Sequence, residues 1–126
     1  MRSIFKNRGF DTIISDGNDY TCLAFVTNGT VLLYGMVSTS SVSAYNDAKT
    51  QVLKIFGRLY ATEELVHPHL VVSGIVVAGK ISVGRLVVRK TASLQATSIE
   101  YDELVIEPGA YLDVGKLSKK VPQPVA

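Results

Sequence analysis

Residues 70–114 read LVVSGIVVAGKISVGRLVVRKTASLQATSIEYDELVIEPGAYLDV, and one spacing runs through them. Val76, Ile81, Leu86 and Val88 are followed eighteen positions later by Leu94, Ile99, Leu104 and Ile106, and Ala78 by Ala96. Large apolar residues recur with large ones and a small one with a small one. Each unit is a pair of apolar residues with one residue between them, the alternation of a short strand with one face inward. A period of this length built from such pairs predicts a coil of short strands stacked on copies of itself.

The ladder extends outward over the chain. A first series reads Thr12/Ile14, Val31/Leu33, Leu53/Ile55, Leu70/Val72, Leu86/Val88 and Leu104/Ile106. A second reads Tyr20/Cys22, Val37/Thr39, Leu59/Ala61, Val76/Ala78, Leu94/Ala96 and Leu112/Val114. A looser third holds Phe25, Val42/Ala44, Leu65, Ile81/Val83, Ile99/Tyr101 and Leu117. Three strands per coil give an all-β, single-domain triangular β-helix (β-solenoid) of about six rungs over residues 12–117. At strand spacing near 4.8 Å the rod is roughly 25–30 Å long. One coil cannot bury its inward face, whereas the stack can.

Glycine stands at five of the six corners between the first and second series: Gly17, Gly35, Gly57, Gly74 and Gly109. The expectation is a positive φ at these bends. From Val42 to Leu53 is eleven residues, so residues 45–51 (YNDAKTQ) are expected to leave the rod as a polar loop.

The totals agree with one β-rich domain. The 126 residues are 47% hydrophobic and 19% charged, with net charge +2, so no global field favours nucleic acid. Cys22 stands alone, which excludes an intrachain disulfide framework and suits a reducing cytoplasm. No apolar run reaches the roughly 20 residues that span a bilayer, and no continuous h-region marks a secretory signal. Residues 1–11 form a short segment with two readings. One is a flexible terminus; the other is a membrane foot, with Ile4 and Phe5 in the interface and Arg2, Lys6 and Arg8 over anionic lipid. Residues 118–126, with two prolines and two lysines, are expected to be a disordered tail.

Chemistry is sparse. His67-Pro68-His69 is the one metal-like cluster, and in an extended segment its two histidines point to opposite faces. The bland reading is a corner pair. Left-handed hexapeptide enzymes, acyltransferase or carbonic anhydrase in type, are disfavoured by the five-residue steps from Val76 to Ile81 to Leu86. Glu63-Glu64 and the run EYDE at 100–103 read as solvated corners. Lys80, Arg85, Arg89 and Lys90 could stack into a basic stripe, and without interleaved exposed aromatics they do not argue for nucleic acid. No catalytic, cofactor-binding or metal residue is assigned.

Over residues 12–117 the chain resembles the bactofilins, bacterial polymer-forming cytoskeletal proteins. The resemblance is carried by Leu53-Lys54-Ile55-Phe56-Gly57-Arg58-Leu59, by Leu70-Val71-Val72-Ser73-Gly74-Ile75-Val76, and by the closing stretch Leu104-Val105-Ile106-Glu107-Pro108-Gly109-Ala110-Tyr111-Leu112. A basic-apolar N-terminus leading into Asp-Thr-Ile-Ile is similar too. Thr39, Ala61, Ala78 and Ala96 stand near where the family carries a second glycine, the pattern of a divergent member. The resemblance implies a right-handed coil that polymerises end to end without nucleotide or metal. Such polymers support cell shape and recruit partner proteins, often on the inner membrane face. The physics of the ends agrees, because an uncapped solenoid edge invites pairing. The interface expected at the ends comprises Ile14, Tyr20 and Phe25 on the N-terminal coil, and Tyr111, Leu112, Val114 and Leu117 on the C-terminal one. The runner-up is a left-handed hexapeptide-like β-helix enzyme, of acyltransferase or carbonic anhydrase type, or a β-solenoid binding module.

Overall fold

The computed structural model describes residues 4–6, 12–45 and 51–120. Ten strands follow one another: β1 (Ile4–Lys6), β2 (Thr12–Ile14), β3 (Asp19–Thr27), β4 (Thr30–Leu33), β5 (Met36–Ala44), β6 (Val52–Ile55), β7 (Arg58–Val72), β8 (Ile75–Val88), β9 (Ser93–Ile106) and β10 (Tyr111–Lys119). No helix occurs among the described residues, and the strands wind into a β-solenoid of about six turns. Every strand pair is parallel, as stacking of successive coils requires. The longer strands bend at corners, so that β7 and β8 each contribute to three faces of the rod.

The register reproduces the three apolar series. On the first face Val31 lies beside Leu53, Leu53 beside Leu70, Leu70 beside Leu86 and Leu86 beside Leu104. On the second, Val37, Leu59, Val76, Leu94 and Leu112 stack in one column, and Thr39, Ala61, Ala78, Ala96 and Val114 in the next. The third face aligns Phe25, Val42, Leu65, Ile81, Ile99 and Leu117. The six-residue step from Leu59 to Leu65 appears as a register shift between Ala61 and Glu64, one extra residue absorbed as a bulge. Inward Leu, Ile and Val in the middle coils are fully buried. Each contributes about 1.5–3 kcal/mol through the apolar surface it removes from water.

Two expectations change in detail. Gly17 and Gly109 do adopt positive φ, at 87° and 101°, but Gly35, Gly57 and Gly74 do not. Those three are needed for space: a Cβ on Gly57 would sit 2.0 Å from the Gly35 carbonyl oxygen, and one on Gly74 2.2 Å from that of Gly57. Successive backbones touch at this corner, and only hydrogen fits between them. The excursion at residues 45–51 is also shorter than expected. Tyr45 still donates its N–H to Thr27 O at 2.6 Å, and Gln51 is buried. Residues 46–50 lie outside the described residues.

The third face begins earlier than the ladder implied. β1 pairs with β3, Ile4 beside Ala24 and Lys6 beside Val26, so three residues of the N-terminal segment form a strand on the rod. Arg2 and Arg8 of the expected membrane foot lie outside the described residues, as does the tail from residue 121.

Candidate self-assembly ends and corner grooves

The direction of the backbone groups decides what each end offers. Met36, Arg58, Ile75, Ser93 and Tyr111 are outward residues, and each donates its N–H back to the preceding coil, to Asn18, Gly35, Gly57, Gly74 and Ala92 respectively. Neighbouring residues of a strand point their polar groups the opposite way. Inward residues therefore aim N–H and C=O toward the C-terminal end. In the last coil these are Leu104, Ile106, Leu112, Val114 and Leu117, and no described strand follows to receive them.

Their side chains are uncovered as well. Leu104, Leu112 and Val114 are half-buried, while Ile106 is 44% and Leu117 42% exposed. Tyr111, at the rim, is 56% exposed. Four of the seven expected interface residues thus meet at one end: Tyr111, Leu112, Val114 and Leu117. The N-terminal end is different. Tyr20 is exposed there and Cys22 half-buried, with Leu23 exposed beside them. Ile14 and Phe25, expected at the joint, are buried within the chain itself. β1 runs alongside Phe25 on this end, which accounts for its position inside the rod.

Among the described residues, two grooves run along the sides of the rod. The first, about 690 Å³, follows the corner between the third and first faces past Ala44, His67, His69, Arg85, Glu103 and Lys120. His67 is an inward residue of the third face, two after Leu65 and beside Val83, and not a member of a corner pair. Its Nδ1 accepts the N–H of His69 at 3.2 Å. The neutral ring then carries its proton on Nε2 and donates to Thr27 Oγ1 at 2.9 Å. Thr27 lies beside Ala44, whose small side chain leaves the imidazole room to reach past it. Burial pushes the His67 pKa down to about 4, with the charge of His69 a lesser cause in the same direction. His69 sits at the corner itself, its pKa lowered by desolvation and then by Arg85 and Lys54.

Two of the four residues of the expected basic stripe are ion-paired. Arg85 meets Glu103 at 3.1 Å and Arg89 meets Glu107 at 3.0 Å, each pair one coil apart on the surface. Glu107 also accepts the Lys90 N–H at 2.9 Å, and this hydrogen bond holds its carboxyl below the usual range, with Arg89 acting in the same direction. Among the described residues no three His, Cys, Asp or Glu side chains gather as a metal site. No helix among them is long and apolar enough to cross a membrane.

The second groove, about 570 Å³, lies along the glycine corner between Tyr34/Phe56 and Asp19, Met36, Arg58 and Ile75. Tyr34 and Phe56 stack with ring centroids 4.8 Å apart and planes within 10°. The spacing of 22 residues, lengthened by the excursion, hid this pair in the sequence. In the first groove Arg85 and Glu103 satisfy one another, and the Nε2 of His67 is taken up by the Thr27 hydroxyl.

Comparison with protein-family models, curated proteins and solved structures finds no match to the chain. The bactofilin resemblance rests on the residues quoted above alone.

Proposed function

We propose that this chain is a non-enzymatic scaffold subunit that assembles end to end into nucleotide-independent filaments. The observation that carries the reading is the last coil. Leu104, Ile106, Leu112 and Leu117 continue columns that are fully buried one turn earlier, yet they stand half open or exposed, with their backbone groups directed past the end of the rod. A second copy supplies both missing components, apolar cover and strand partners. The bactofilin-like stretches support the same reading. The same resemblance is the support for reading the filament as cytoplasmic, on the inner membrane face, with a role in cell shape or in recruiting partner proteins. Residues 1–11 then serve as the lipid contact, weak for one copy at about 1 kcal/mol per cation and strong for a polymer by avidity.

Electron microscopy of the purified protein without nucleotide tests this directly, with filaments expected across moderate salt. Only monomers or small closed oligomers over the whole concentration range would reject it. Leu112→Arg places a charge in the joint, so it is expected to abolish filaments while circular dichroism keeps the β signature. Deleting residues 2–8 is expected to reduce co-sedimentation with anionic liposomes several-fold, and unchanged binding would remove the membrane foot.

A further inference from the structure

β1 carries two assignments at once. Ile4, Phe5 and Lys6 are the centre of the expected membrane foot, yet the same three residues pair in parallel with β3. Ile4 lies beside Ala24, Phe5 beside Phe25 and Lys6 beside Val26. An interfacial segment sinks about 5–10 Å into the boundary between headgroups and acyl chains, whereas a paired strand stays about 4.8 Å from its neighbour. A foot that deep and still paired would carry β3 into the lipid with it.

The third face shows what the pairing covers. Phe25 and Leu117 stand in one column at opposite ends of the rod. Phe25, whose partner on β1 is Phe5, is fully buried, while Leu117, with no described strand beyond it, is 42% exposed. The backbone follows the same logic. At the margin of this face Tyr45 and Lys120 donate their N–H groups one coil back, to Thr27 and Tyr101. Ala24 and Val26 share that alternation with Ser41 and Ser43, so their N–H and C=O groups are directed at β1. β1 has three residues against nine in β3, a unit small enough to open at little free energy.

We infer that β1 is a strap with two exclusive seats, paired on β3 in the free protein and withdrawn into an anionic lipid surface in the bound one. The inference rests on the membrane-foot reading and not on the end-to-end one. Arg2 and Arg8 flank the strap in sequence and, with Lys6, give the lipid seat its charge. Each seat weakens the other, because lipid and β3 compete for one segment. A lipid-bound copy then presents a bare β3 edge on the third face, where a free copy presents β1.

The test locks the strap. Ile4→Cys and Ala24→Cys are partners in register across one strand spacing, within the Cα separation of about 4.4–6.8 Å that a disulfide spans. Cys22→Ser removes the natural thiol. The oxidised and reduced forms of this one variant are compared in co-sedimentation with phosphatidylcholine–phosphatidylglycerol vesicles. The reduced form is expected to bind, and the oxidised form to bind several-fold less and recover on reduction. Equal binding by both forms would overturn the strap and leave the membrane foot standing, and a cysteine pair that does not oxidise would overturn it too. No binding by wild-type protein would remove the foot and the strap together. Hydrogen exchange on the wild-type chain needs no substitution. Saturating vesicles are expected to strip protection from the Ala24 and Val26 amides, and unchanged protection in the bound protein would reject the inference.

Discussion

Leu86 and Leu104 occupy the same column of the first face one turn apart, yet the first is fully buried and the second half open. Val88 and Ile106 repeat the contrast, at 0% and 44% exposure. Face, register and apolar character are alike, and the difference lies in what stacks next. In a solenoid, core and interface are the same surface at different positions along the axis. The middle of this rod is sealed by its own neighbours, and its last coil has no following strand among the described residues.

The sharpest way to break that comparison is to place one charge at each site. Leu86→Arg buries an unpaired cation in the sealed middle and is expected to cost about 4 kcal/mol or more, leaving unfolded or aggregated protein by circular dichroism. Leu112→Arg, in the open coil, is expected to change the urea midpoint little, because its head can reach water. If the two variants unfold alike, the last coil is core and not interface.

Gly57→Ala probes the middle through its backbone. The added methyl meets the Gly35 carbonyl oxygen, so the coils must separate locally at a cost of about 3 kcal/mol. Gly17→Ala has open space and strains only its own positive φ, costing about 1–2 kcal/mol. A thermal melt that ranks Gly17→Ala as the worse would remove the close-approach account of this corner.

His67 sharpens the comparison by pH. Its folded pKa of about 4 lies below the ordinary 6.5, so between these values the unfolded chain binds more protons. Stability is therefore full above pH 6.5 and falls by about 3 kcal/mol as the pH drops toward 4. Urea denaturation from pH 7 to 4 measures it, and His67→Gln is expected to flatten the slope. The smallest effect belongs to the surface pair Arg85–Glu103. Arg85→Ala is expected to shift stability by less than about 0.5 kcal/mol, within the scatter of a melt.

The ladder was legible because its inward pairs obey a period of two, and a one-residue slip would expose each of them. The three series predicted from spacing are the three columns of the register. What sequence counting missed lay between or behind those pairs. Val71, Val87 and Val105 were read only as the spacers of apolar pairs, whereas the register sets them in one outward column with Ile13 and Leu32. His67 is a polar residue in an inward slot, and only the small Ala44 and the hydroxyl of Thr27 on a neighbouring coil make that slot tolerable. The three close-packed glycines could not be told from positive-φ ones without the backbone above them. The open C-terminal coil was anticipated; the strand that runs beside Phe25 was not, since β1 is too short to show any period.

β1 also sets the arithmetic of any filament. Among the described residues the first and second faces hold six strands each and the third holds seven, so the rod is six turns and a third of one. Copies stacked head to tail with every face continuing on its own kind would collide on the third face, or leave a missing strand of about 4.8 Å on the other two. A polar filament must turn each new subunit by about 120°, so that its third face starts on the previous first. The outward column Ile13, Leu32, Lys54, Val71, Val87 and Val105 of the first face would then wind around the filament instead of running along one side. Three residues at the N-terminus thereby decide whether lateral contacts made by such a polymer lie in a plane or spiral about its axis.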